Sequence, residues 1–300
     1  MSDILDFSIC IVTYQTRDYL KDCLTSLYQN TQRASFEVIV VDNHSDDGVE
    51  EMLRQEFPQV SLVVEATNEG YTRPMNRALR QGCGRYLVQL NPDTLVLPGT
   101  FDELLAYMDA HPDAGICTPK VLNRDGSLQK QCRRSAARPW DTFTYFSGLS
   151  ARFPKSQHLA GYLMTYLDED EINEVEAVSG SCMIIRRALV EQIGYLDEVF
   201  FAYQEDADFC FRARQAGWKV IYMPKAQLIH FGGQGGSAVE VYRSIYQWHR
   251  SYFLYYRKHL ARDYFFLFNG LFYAAMGVKL LLALAATALR KRKYAGTRKP

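Results

Sequence analysis

The sequence predicts an α/β protein, in which a mostly parallel sheet is flanked by helices and followed by a helical extension. Up to about residue 125, short apolar runs rich in Val and Ile alternate with longer amphipathic stretches. Such alternation of strands and helices gives a mostly parallel sheet covered by helices. Beyond residue 236 the pattern becomes helical, and residues 264–289 are almost wholly apolar. We therefore expect one domain over residues 1–236 and a helical extension over residues 237–300.

The composition is that of an ordinary globular protein and argues against a nucleic-acid partner. The 300 residues are 48% hydrophobic, and 34 Lys and Arg balance 34 Asp and Glu. The seven cysteines are scattered among mostly apolar neighbours and form no CxxC pair, as is typical of reduced thiols in the cytosol. The first residues carry acids where a secretory signal would carry Lys or Arg. We therefore expect a cytoplasmic protein.

The elements follow from runs of β-branched residues between amphipathic segments. In the first part we predict strands at 7–14, 36–43, 60–66 and 85–91, and helices at 17–29, 46–56 and 73–81. Residues 130–170 are aromatic and irregular, predict no clear element and suggest a mobile loop over a site. Strands are predicted again at 177–187 and 218–231, on either side of a helix from near Gln204 to the cap signal at Gly217.

Polar side chains stand at the carboxyl ends of three predicted strands. Asp42 ends the second strand, Asn91 and Asp93 follow the fourth, and His230 ends the last. Such ends meet at one edge of a parallel sheet, where ligands bind. Each residue also has a structural explanation that the sequence leaves open. Asp42 could cap the next helix, Asp93 could be a turn residue, and His230 could be a core histidine.

Three acids open the predicted helix near Gln204. Glu205, Asp206 and Asp208 lie in its first turn, where the helix dipole favours negative charge. Asp208 is explained by pairing with Arg212 four residues later. Glu205 and Asp206 crowd together behind an aromatic run, where like charges near apolar surface disfavour ionisation. A carboxylate in that setting is a candidate general base.

The stretch GQGGSA, residues 233–238, fits a dinucleotide-binding pattern but lies at the end of the α/β region. No further strand follows that could carry the ribose-binding acid, so a nicotinamide or flavin enzyme is not expected. A glycine-rich turn beside His230 instead lets the backbone approach a ligand closely.

With these motifs in order, the chain resembles the inverting, GT-A fold glycosyltransferases of glycosyltransferase family 2, and most of all their rhamnosyltransferase branch. The likeness covers roughly residues 7–235. The motifs that carry it are IVTYQT, VVDNHSDD, NEGYTRPMN, LNPDT, VSGSCMIIRR, YQEDADFCFRARQAGW and LIHFGG. The resemblance implies a GT-A, Rossmann-like fold and a nucleotide-sugar donor.

The resemblance also implies donor-binding roles for particular residues. Thr13 and Tyr14 would border the nucleotide base, and Asp42 would accept a hydrogen bond from the base or ribose. Arg73 would contact the diphosphate. The segment that usually closes over the nucleotide would supply Asn68, Gly70, Arg73 and Asn76.

In this resemblance, LNPDT corresponds to the family's metal motif of two acids separated by one residue. Asn91 replaces the first acid and is counted with the donor-binding residues, so Asp93 is the remaining carboxylate. His230 matches the histidine that completes the metal shell in several relatives, and Asp206 matches the catalytic base. The implied cofactor is Mg or Mn, which prefer oxygen ligands and keep waters and substrate phosphates. Because an amide oxygen binds a cation less strongly than a carboxylate, either the ion arrives mostly with the nucleotide or it is less essential here.

The apolar tail suggests contact with a membrane. It is long enough to span one, since about 20 apolar residues suffice, but Lys279 interrupts it. Basic residues flank both ends, at Arg257, Lys258 and Arg262 before it and at six Lys and Arg between 290 and 299 after it. A helix or shallow hairpin on the membrane surface fits both flanks better than a span. The alternative left open is a buried or oligomer-forming helix of a soluble protein.

The expected function is that of a metal-dependent, inverting glycosyltransferase on the inner face of the cell membrane. The expected donor is dTDP-L-rhamnose, and the acceptor is a lipid-linked or polysaccharide glycan. Two alternatives stay open: a sugar nucleotidyltransferase, and a non-catalytic partner in glycan assembly with the same fold. The first normally has a glycine-rich loop with a basic residue after the first strand, and IVTYQTRDY has none. A homo-oligomer is also left open.

Overall fold

A nine-stranded sheet forms the centre of the computed structural model, which describes residues 5–289. The strands of this sheet and of a separate two-stranded sheet are β1 (Phe7–Thr13), β2 (Phe36–Asp42), β3 (Ser61–Val64), β4 (Tyr86–Leu90), β5 (Thr94–Val96), β6 (Ala114–Leu122), β7 (Arg133–Arg134), β8 (Asn173–Glu174), β9 (Ala177–Val178), β10 (Cys182–Arg186) and β11 (Lys219–His230). The α-helices are α1 (Arg17–Asn30), α2 (Val49–Glu56), α3 (Thr72–Gln81), α4 (Thr100–Ala110), α5 (Pro139–Phe146), α6 (Leu149–Arg152), α7 (Arg187–Ile193), α8 (Glu205–Gln215), α9 (Gly236–Val239), α10 (Val241–Tyr255) and α11 (Phe266–Leu289). Short 3-10 or π-helical turns cover Lys130–Cys132, Tyr256–Leu260 and Ala261–Asp263.

The sheet confirms the predicted α/β class and has the strand order β3-β2-β1-β4-β10-β6-β11-β5. The strands from β3 to β4 pair in parallel, as predicted. Beyond β4 the sheet is mixed, because β10 is antiparallel to both its neighbours and β11 is antiparallel to β5 and β8. All residues of β1 are buried, as expected of a parallel strand covered by helices on both faces.

The hydrophobic core follows the sheet. Buried residues of β1, β2, β4, β6, β10 and β11 form one cluster with the inner faces of the helices. The seven cysteines are free, and all but Cys83 are buried, as the sequence predicts for reduced thiols. Burial raises the pKa of the Cys23 thiol to about 12. The six buried thiols therefore serve as packing groups.

Three elements between residues 94 and 122 are absent from the sequence prediction: β5, α4 and β6. Pro119 lies inside β6, and a proline normally argues against a strand in the middle of a sheet. The neighbouring strand β11 shifts its register between Met223 and Gln227, opposite Pro119. This irregularity accommodates the proline and explains why the strand was hard to predict.

The expectation that residues 130–170 contain no clear element is wrong. The segment holds β7, α5 and α6, and α5 starts with Pro139, whose fixed φ suits the first turn of a helix. The buried side chain of Arg133 donates hydrogen bonds to the carbonyl oxygens of Leu167 and Asp168, at 2.9 and 2.7 Å. These bonds tie both ends of the segment together. The predicted strand 177–187 is likewise divided, into β9 and β10.

The extension predicted beyond residue 236 is helical over its described residues and packs against residues of the predicted first domain, 1–236. Tyr252 and Tyr255 of α10 are buried. Their hydroxyls donate to the carbonyl oxygens of Ala137 and Ala136, both at 3.0 Å. Buried contacts therefore join α10 to the segment that precedes α5. The domain boundary at residue 236 stays a prediction.

The last described helix, α11, is a candidate membrane-associating extension. Among residues 5–289 it is the one helix long and apolar enough, by length and composition, to cross a membrane. None of its residues is fully buried. The six Lys and Arg residues predicted to flank it at 290–299 lie outside the described residues.

Asp208 is fully buried and joins α8 to the segment that follows α10. Its Oδ1 accepts hydrogen bonds from Lys258 Nζ at 2.5 Å and His259 Nε2 at 2.6 Å, and its Oδ2 accepts one from Arg212 Nε at 2.8 Å. Burial alone would raise the pKa of this carboxyl. The bonds from His259 and Lys258 and the charge of Arg212 outweigh burial and hold the pKa at about 2. The predicted pairing of Asp208 with Arg212 is therefore present, within a larger cluster.

Replacing Asp208 by Asn is expected to lower the free energy of unfolding by about 3 to 5 kcal/mol, because a fully buried carboxylate loses its charge-assisted bonds to Lys258, His259 and Arg212. The stabilisation by ionised Asp208 is fully present above its ordinary pKa near 4 and is lost as the pH falls through about 2. Urea unfolding measures the difference. The control is Asp197→Asn, whose carboxylate also pairs with Lys258 at 2.6 Å but is 35% exposed, and it should lose less than about 1 kcal/mol. An equally small loss for Asp208→Asn would contradict this role.

Candidate active site

A cavity of 390 Å³ opens at the carboxyl ends of β1, β2 and β4, beside the first turn of α8 and one face of α10. This is the edge of the sheet where ligands bind in α/β proteins. Seven of the eleven predicted site residues line the cavity: Tyr14, Asn68, Gly70, Asn91, Asp93, Asp206 and His230.

Asp93 and His230 are brought together by the antiparallel pairing of β5 with β11. His230 lies opposite Thr94 in this register, so Asp93, the residue before Thr94, lies beside the last residue of β11. His230 Nε2 lies 3.1 Å from Asp93 Oδ1. The other ring nitrogen, Nδ1, lies 2.7 Å from Gln129 Oε1. Because that oxygen can only accept, Nδ1 carries a hydrogen, and Nε2 is the ring nitrogen that faces Asp93.

Asn91 is held between Tyr71 and His230. The Tyr71 hydroxyl donates to Asn91 Oδ1 at 3.3 Å, and Asn91 Nδ2 lies 3.2 Å from His230 Nε2. In this orientation the nitrogen of the amide faces the imidazole. Asn91 therefore helps to orient His230, while its oxygen is used by Tyr71.

The Asp93 and His230 pair fits two ligands of one divalent ion. A carboxylate oxygen and an imidazole nitrogen are both groups that bind divalent ions, and at 3.1 Å from each other they could contact the same ion. Among residues 5–289 no three His, Cys, Asp or Glu side chains are grouped so that they could hold a metal ion. The remaining ligands would therefore come from water and a bound diphosphate.

Asp206 lies in the first turn of α8, directly after a strained turn. Tyr203 and Gln204 have left-handed φ values of 66° and 64°, which are uncommon for residues with side chains and often mark functional sites. Asp206 Oδ2 accepts hydrogen bonds from Arg134 Nη2 at 2.7 Å and from the Gly180 amide at 3.0 Å. The carboxylate is therefore held in the cavity wall by partners from β7 and from the link between β9 and β10.

Glu205 stands beside Asp206 in the same cavity and is only 6% exposed. Its Oε2 has no hydrogen-bond partner among the described residues. Burial, followed by the negative charge of Asp206, raises the pKa of Glu205 to about 8. At neutral pH this carboxyl is therefore protonated and can donate a hydrogen bond into the cavity.

The pH dependence of nucleotide binding should report on Glu205. Its neutral form is present below pH 8, and ionisation above pH 8 adds a negative charge that repels a diphosphate. Affinity for a nucleoside diphosphate should therefore fall by up to about tenfold per pH unit above 8, and Glu205→Gln should remove this fall. Calorimetric titrations between pH 6.5 and 9.5 compare the two proteins. The same fall in both would show that another group is responsible.

The predicted nucleotide side of the cavity is ordered by Asn43, which the sequence prediction did not single out. Asn43 Nδ2 donates to Asn68 Oδ1 at 3.0 Å and to the Gly70 carbonyl at 2.8 Å, and Asn43 Oδ1 accepts from the Glu69 amide at 3.0 Å. Gly70 has a φ of +88°, and a Cβ there would overlap the carbonyl oxygen and the ring of Phe201. Position 70 therefore requires glycine.

Two of the predicted nucleotide contacts, Thr13 and Asp42, are fully buried beneath the cavity and do not line it. The Thr13 hydroxyl shares a hydrogen bond of 2.8 Å with Thr16 Oγ1. Asp42 accepts from the Ser45 amide at 3.2 Å, and burial raises the pKa of its carboxyl. This geometry matches the structural explanation of Asp42, in which it orders the turn before α2.

Arg73 and Asn76 also stay outside the cavity lining. Arg73 Nε lies 3.7 Å from Glu198, and its side chain is 59% exposed. Asn76 Nδ2 donates to the Leu196 carbonyl at 2.9 Å, and Asn76 Oδ1 accepts from the Leu196 amide at 3.1 Å. Both ends of the Asn76 amide are thus used to fix α3 against the loop after α7. The donor contacts expected of these two residues stay predictions.

The cavity also contains residues that the sequence prediction missed. Arg134 reaches Asp206 from a segment expected to be irregular, and its place in an arginine pair was the available signal. Glu240, Arg243 and Trp248 line the cavity from the helical extension. The Tyr14 hydroxyl donates to Glu240 at 3.2 Å. The extension is therefore part of the site.

The chain matches the family model described as "Glycosyltransferase like family 2" over residues 6–265. An N-acetylglucosaminyl-diphospho-decaprenol L-rhamnosyltransferase of Mycobacterium tuberculosis is 31% identical over 241 residues, which cover 77% of this chain and 76% of the relative. The low-salt glycan biosynthesis hexosyltransferase Agl10 of Haloferax volcanii is 27% identical over 229 residues, which cover 75% and 67% of the two chains.

Solved structures share the fold at low sequence identity. The mannosyltransferase PcManGT from Pyrobaculum calidifontis, solved in complex with GDP-Man and Mn2+, superposes with a TM-score of 0.60 at 18% identity. The match covers 97% of this chain and 77% of that one. At 18% sequence identity, this likeness shows a shared fold and nothing further.

Proposed function

The chain belongs to the glycosyltransferase-like family 2, and we propose that it transfers L-rhamnose from dTDP-L-rhamnose, with inversion, to a lipid-linked or polysaccharide glycan. The name of the Mycobacterium tuberculosis relative supports both halves of this proposal, since it specifies an L-rhamnosyl group and a polyprenyl-diphosphate acceptor. The protein would work in the cytoplasm, on the inner face of the cell membrane, with α11 at the bilayer.

The observation that carries the proposal is that one cavity is lined by both halves of a transfer site. Asp93 and His230 offer a cation site for a diphosphate, and Asp206 offers a carboxylate base. These residues are far apart in the sequence and come from different elements. An arrangement that served only to stabilise the fold would not need to leave them facing open space.

On the donor side, Asp93 and His230 would hold Mg or Mn together with the diphosphate of the nucleotide. When bound, the ion neutralises negative charge on the departing nucleoside diphosphate. The lining residues Tyr14, Asn68 and Gly70 would border the nucleotide. Because the described residues supply only a pair of ligands, we infer that the ion arrives mostly with the nucleotide.

On the acceptor side, Asp206 would accept the proton of the acceptor hydroxyl. The acceptor oxygen forms its bond to the anomeric carbon while the bond from that carbon to the diphosphate oxygen breaks, and the electron pair leaves with the diphosphate. A single displacement of this kind inverts the anomeric centre. Arg134 holds Asp206 at 2.7 Å and would thereby fix the orientation of the carboxylate before it receives the proton.

A panel of nucleotide sugars, each with and without Mn2+, tests the proposal through release of nucleoside diphosphate in the presence of a polyprenyl-diphosphate N-acetylglucosamine acceptor. We expect the highest rate with dTDP-L-rhamnose and a product of opposite anomeric configuration to the donor. A higher rate with another donor would reject the rhamnosyl assignment. Release of pyrophosphate from a nucleoside triphosphate and a sugar phosphate would instead identify a nucleotidyltransferase.

A further inference from the structure

Four large aromatic side chains stand exposed on the segment between β7 and β8. They form the aromatic patch, which consists of Trp140, Phe143 and Phe146 of α5 and Phe153 after α6, with exposures of 44, 57, 51 and 47%. Trp140 and Phe143 are neighbours, with ring centroids 5.8 Å apart. Exposed apolar surface of this kind marks an interaction site.

The aromatic patch is continuous with α11. The Lys279 ammonium lies 4.3 Å from the ring centre of Phe146 and 4.0 Å from that of Trp248. Phe146 and Trp248 are themselves in edge contact at 6.2 Å. The middle of α11 is therefore fixed against α5 and α10.

The first half of α11 also lies along α10 and the turn that follows it. The Phe272 ring is 4.1 Å from the Tyr256 ring, and the Tyr273 ring is 4.9 Å from the Phe253 ring. With Lys279, these contacts cover about two turns of helix. These contacts hold this part of α11 against the protein, and a span of about 20 residues across a bilayer would have to include it.

The other side of α11 carries apolar residues without cover. We define its outer face as Phe266, Leu271, Val278, Leu281 and Leu282, which are 73, 72, 56, 67 and 65% exposed. Exposed cations border both apolar surfaces, at Arg152 and Lys155 near the aromatic patch and at Arg257 and Arg262 before α11. Apolar surface edged by cations suits the headgroup region of an anionic bilayer.

We propose that the aromatic patch and the outer face of α11 dock together on an anionic membrane surface, with α11 lying in the plane of the interface. The proposal rests on the function proposed above, in which the acceptor is held by a membrane lipid. Trp248 lines the cavity and touches Phe146. Docking would therefore bring the bilayer beside the cavity, within reach of a headgroup that carries a diphosphate.

Co-sedimentation of the full chain with vesicles of equal parts phosphatidylglycerol and phosphatidylcholine tests the proposal. The patch variant replaces Trp140, Phe143 and Phe153 by Gln, and the helix variant replaces Leu271 and Leu281 by Gln. Each should bind vesicles at least about tenfold more weakly than wild type. The matched control replaces Val64 and Ile172 by Gln; these residues are 44 and 45% exposed and belong to neither apolar surface. Its vesicle binding should stay within about twofold of wild type. Circular dichroism shows that each variant is folded.

Tryptophan fluorescence with bromine-labelled lipids provides the second measurement. Wild type should be quenched by bromine near the headgroups, and Trp140→Phe should lose most of this quenching. Wild-type vesicle binding by the patch variant, or a dimer that the patch variant dissociates, would overturn the proposal. No substrate is present in these assays, so they are independent of whether the transfer reaction proposed above is correct.

Discussion

Replacement of Asp206 by Asn is expected to lower the turnover number at least about 100-fold, the usual loss when a general base is removed. The amide keeps the shape of the side chain and can still accept a hydrogen bond from Arg134 or Gly180, which contact Asp206 at 2.7 and 3.0 Å. It cannot accept the proton of the attacking hydroxyl. Binding of the nucleotide should change little, because the loss falls on the chemical step. Steady-state kinetics and calorimetric titration separate the two effects.

The neighbouring carboxyl provides the matched control. Glu205 lines the same cavity, and burial raises its pKa to about 8, so at pH 7 it is already uncharged. Glu205→Gln should therefore keep turnover within a few-fold of wild type at that pH. If Glu205→Gln abolished transfer and Asp206→Asn did not, the roles of the two acids would be exchanged.

Replacement of Asp93 by Asn should have the second large effect. It removes the carboxylate ligand of the proposed cation site and leaves His230 as the partner. We expect transfer to fall by about 100- to 1,000-fold, which is typical when a group that stabilises developing charge is removed. We also expect Mn2+ to lose most of its effect on nucleoside diphosphate binding. Titrations of the nucleotide with and without Mn2+ measure this directly.

The complementary variant is Asn91→Asp, which restores the first acid of the motif. A second carboxylate next to Asp93 should tighten Mn2+ binding, because carboxylates bind hard cations more strongly than amides do. An Mn2+ dependence that is unchanged in both variants would show that the ion, if one is used, binds elsewhere.

The convergence of the strand-end residues could be predicted from the sequence because it follows from topology alone. Asn91 follows the parallel strand β4, and Tyr14, which the family resemblance implied, follows the parallel strand β1; the carboxyl ends of such strands meet at one edge. Asp42 ends β2 at the same edge but lies outside the cavity lining. The contact between Asp93 and His230 has another origin. It depends on the antiparallel pairing of the short strand β5 with β11, and a three-residue strand leaves no periodic pattern in a sequence.

The contact between Asp206 and Arg134 could not be predicted from the sequence for a related reason. Arg134 is 72 residues away from Asp206 and belongs to a two-residue strand in a segment without periodicity. Long-range ion pairs are set by packing, which local patterns do not encode. The contribution of α10 to the cavity could not be predicted either. The pattern of an amphipathic helix shows which of its residues face inwards, but not which part of the protein they pack against.

A crystal structure with a nucleoside diphosphate and Mn2+ tests the central claim most directly, namely that one cavity holds the leaving group and the base together. We predict that Mn2+ is bound by Asp93 Oδ1, His230 Nε2 and the diphosphate, with the Asp206 carboxylate facing the position of the sugar. A nucleotide bound outside this cavity, or a metal ion held by neither Asp93 nor His230, would contradict the account.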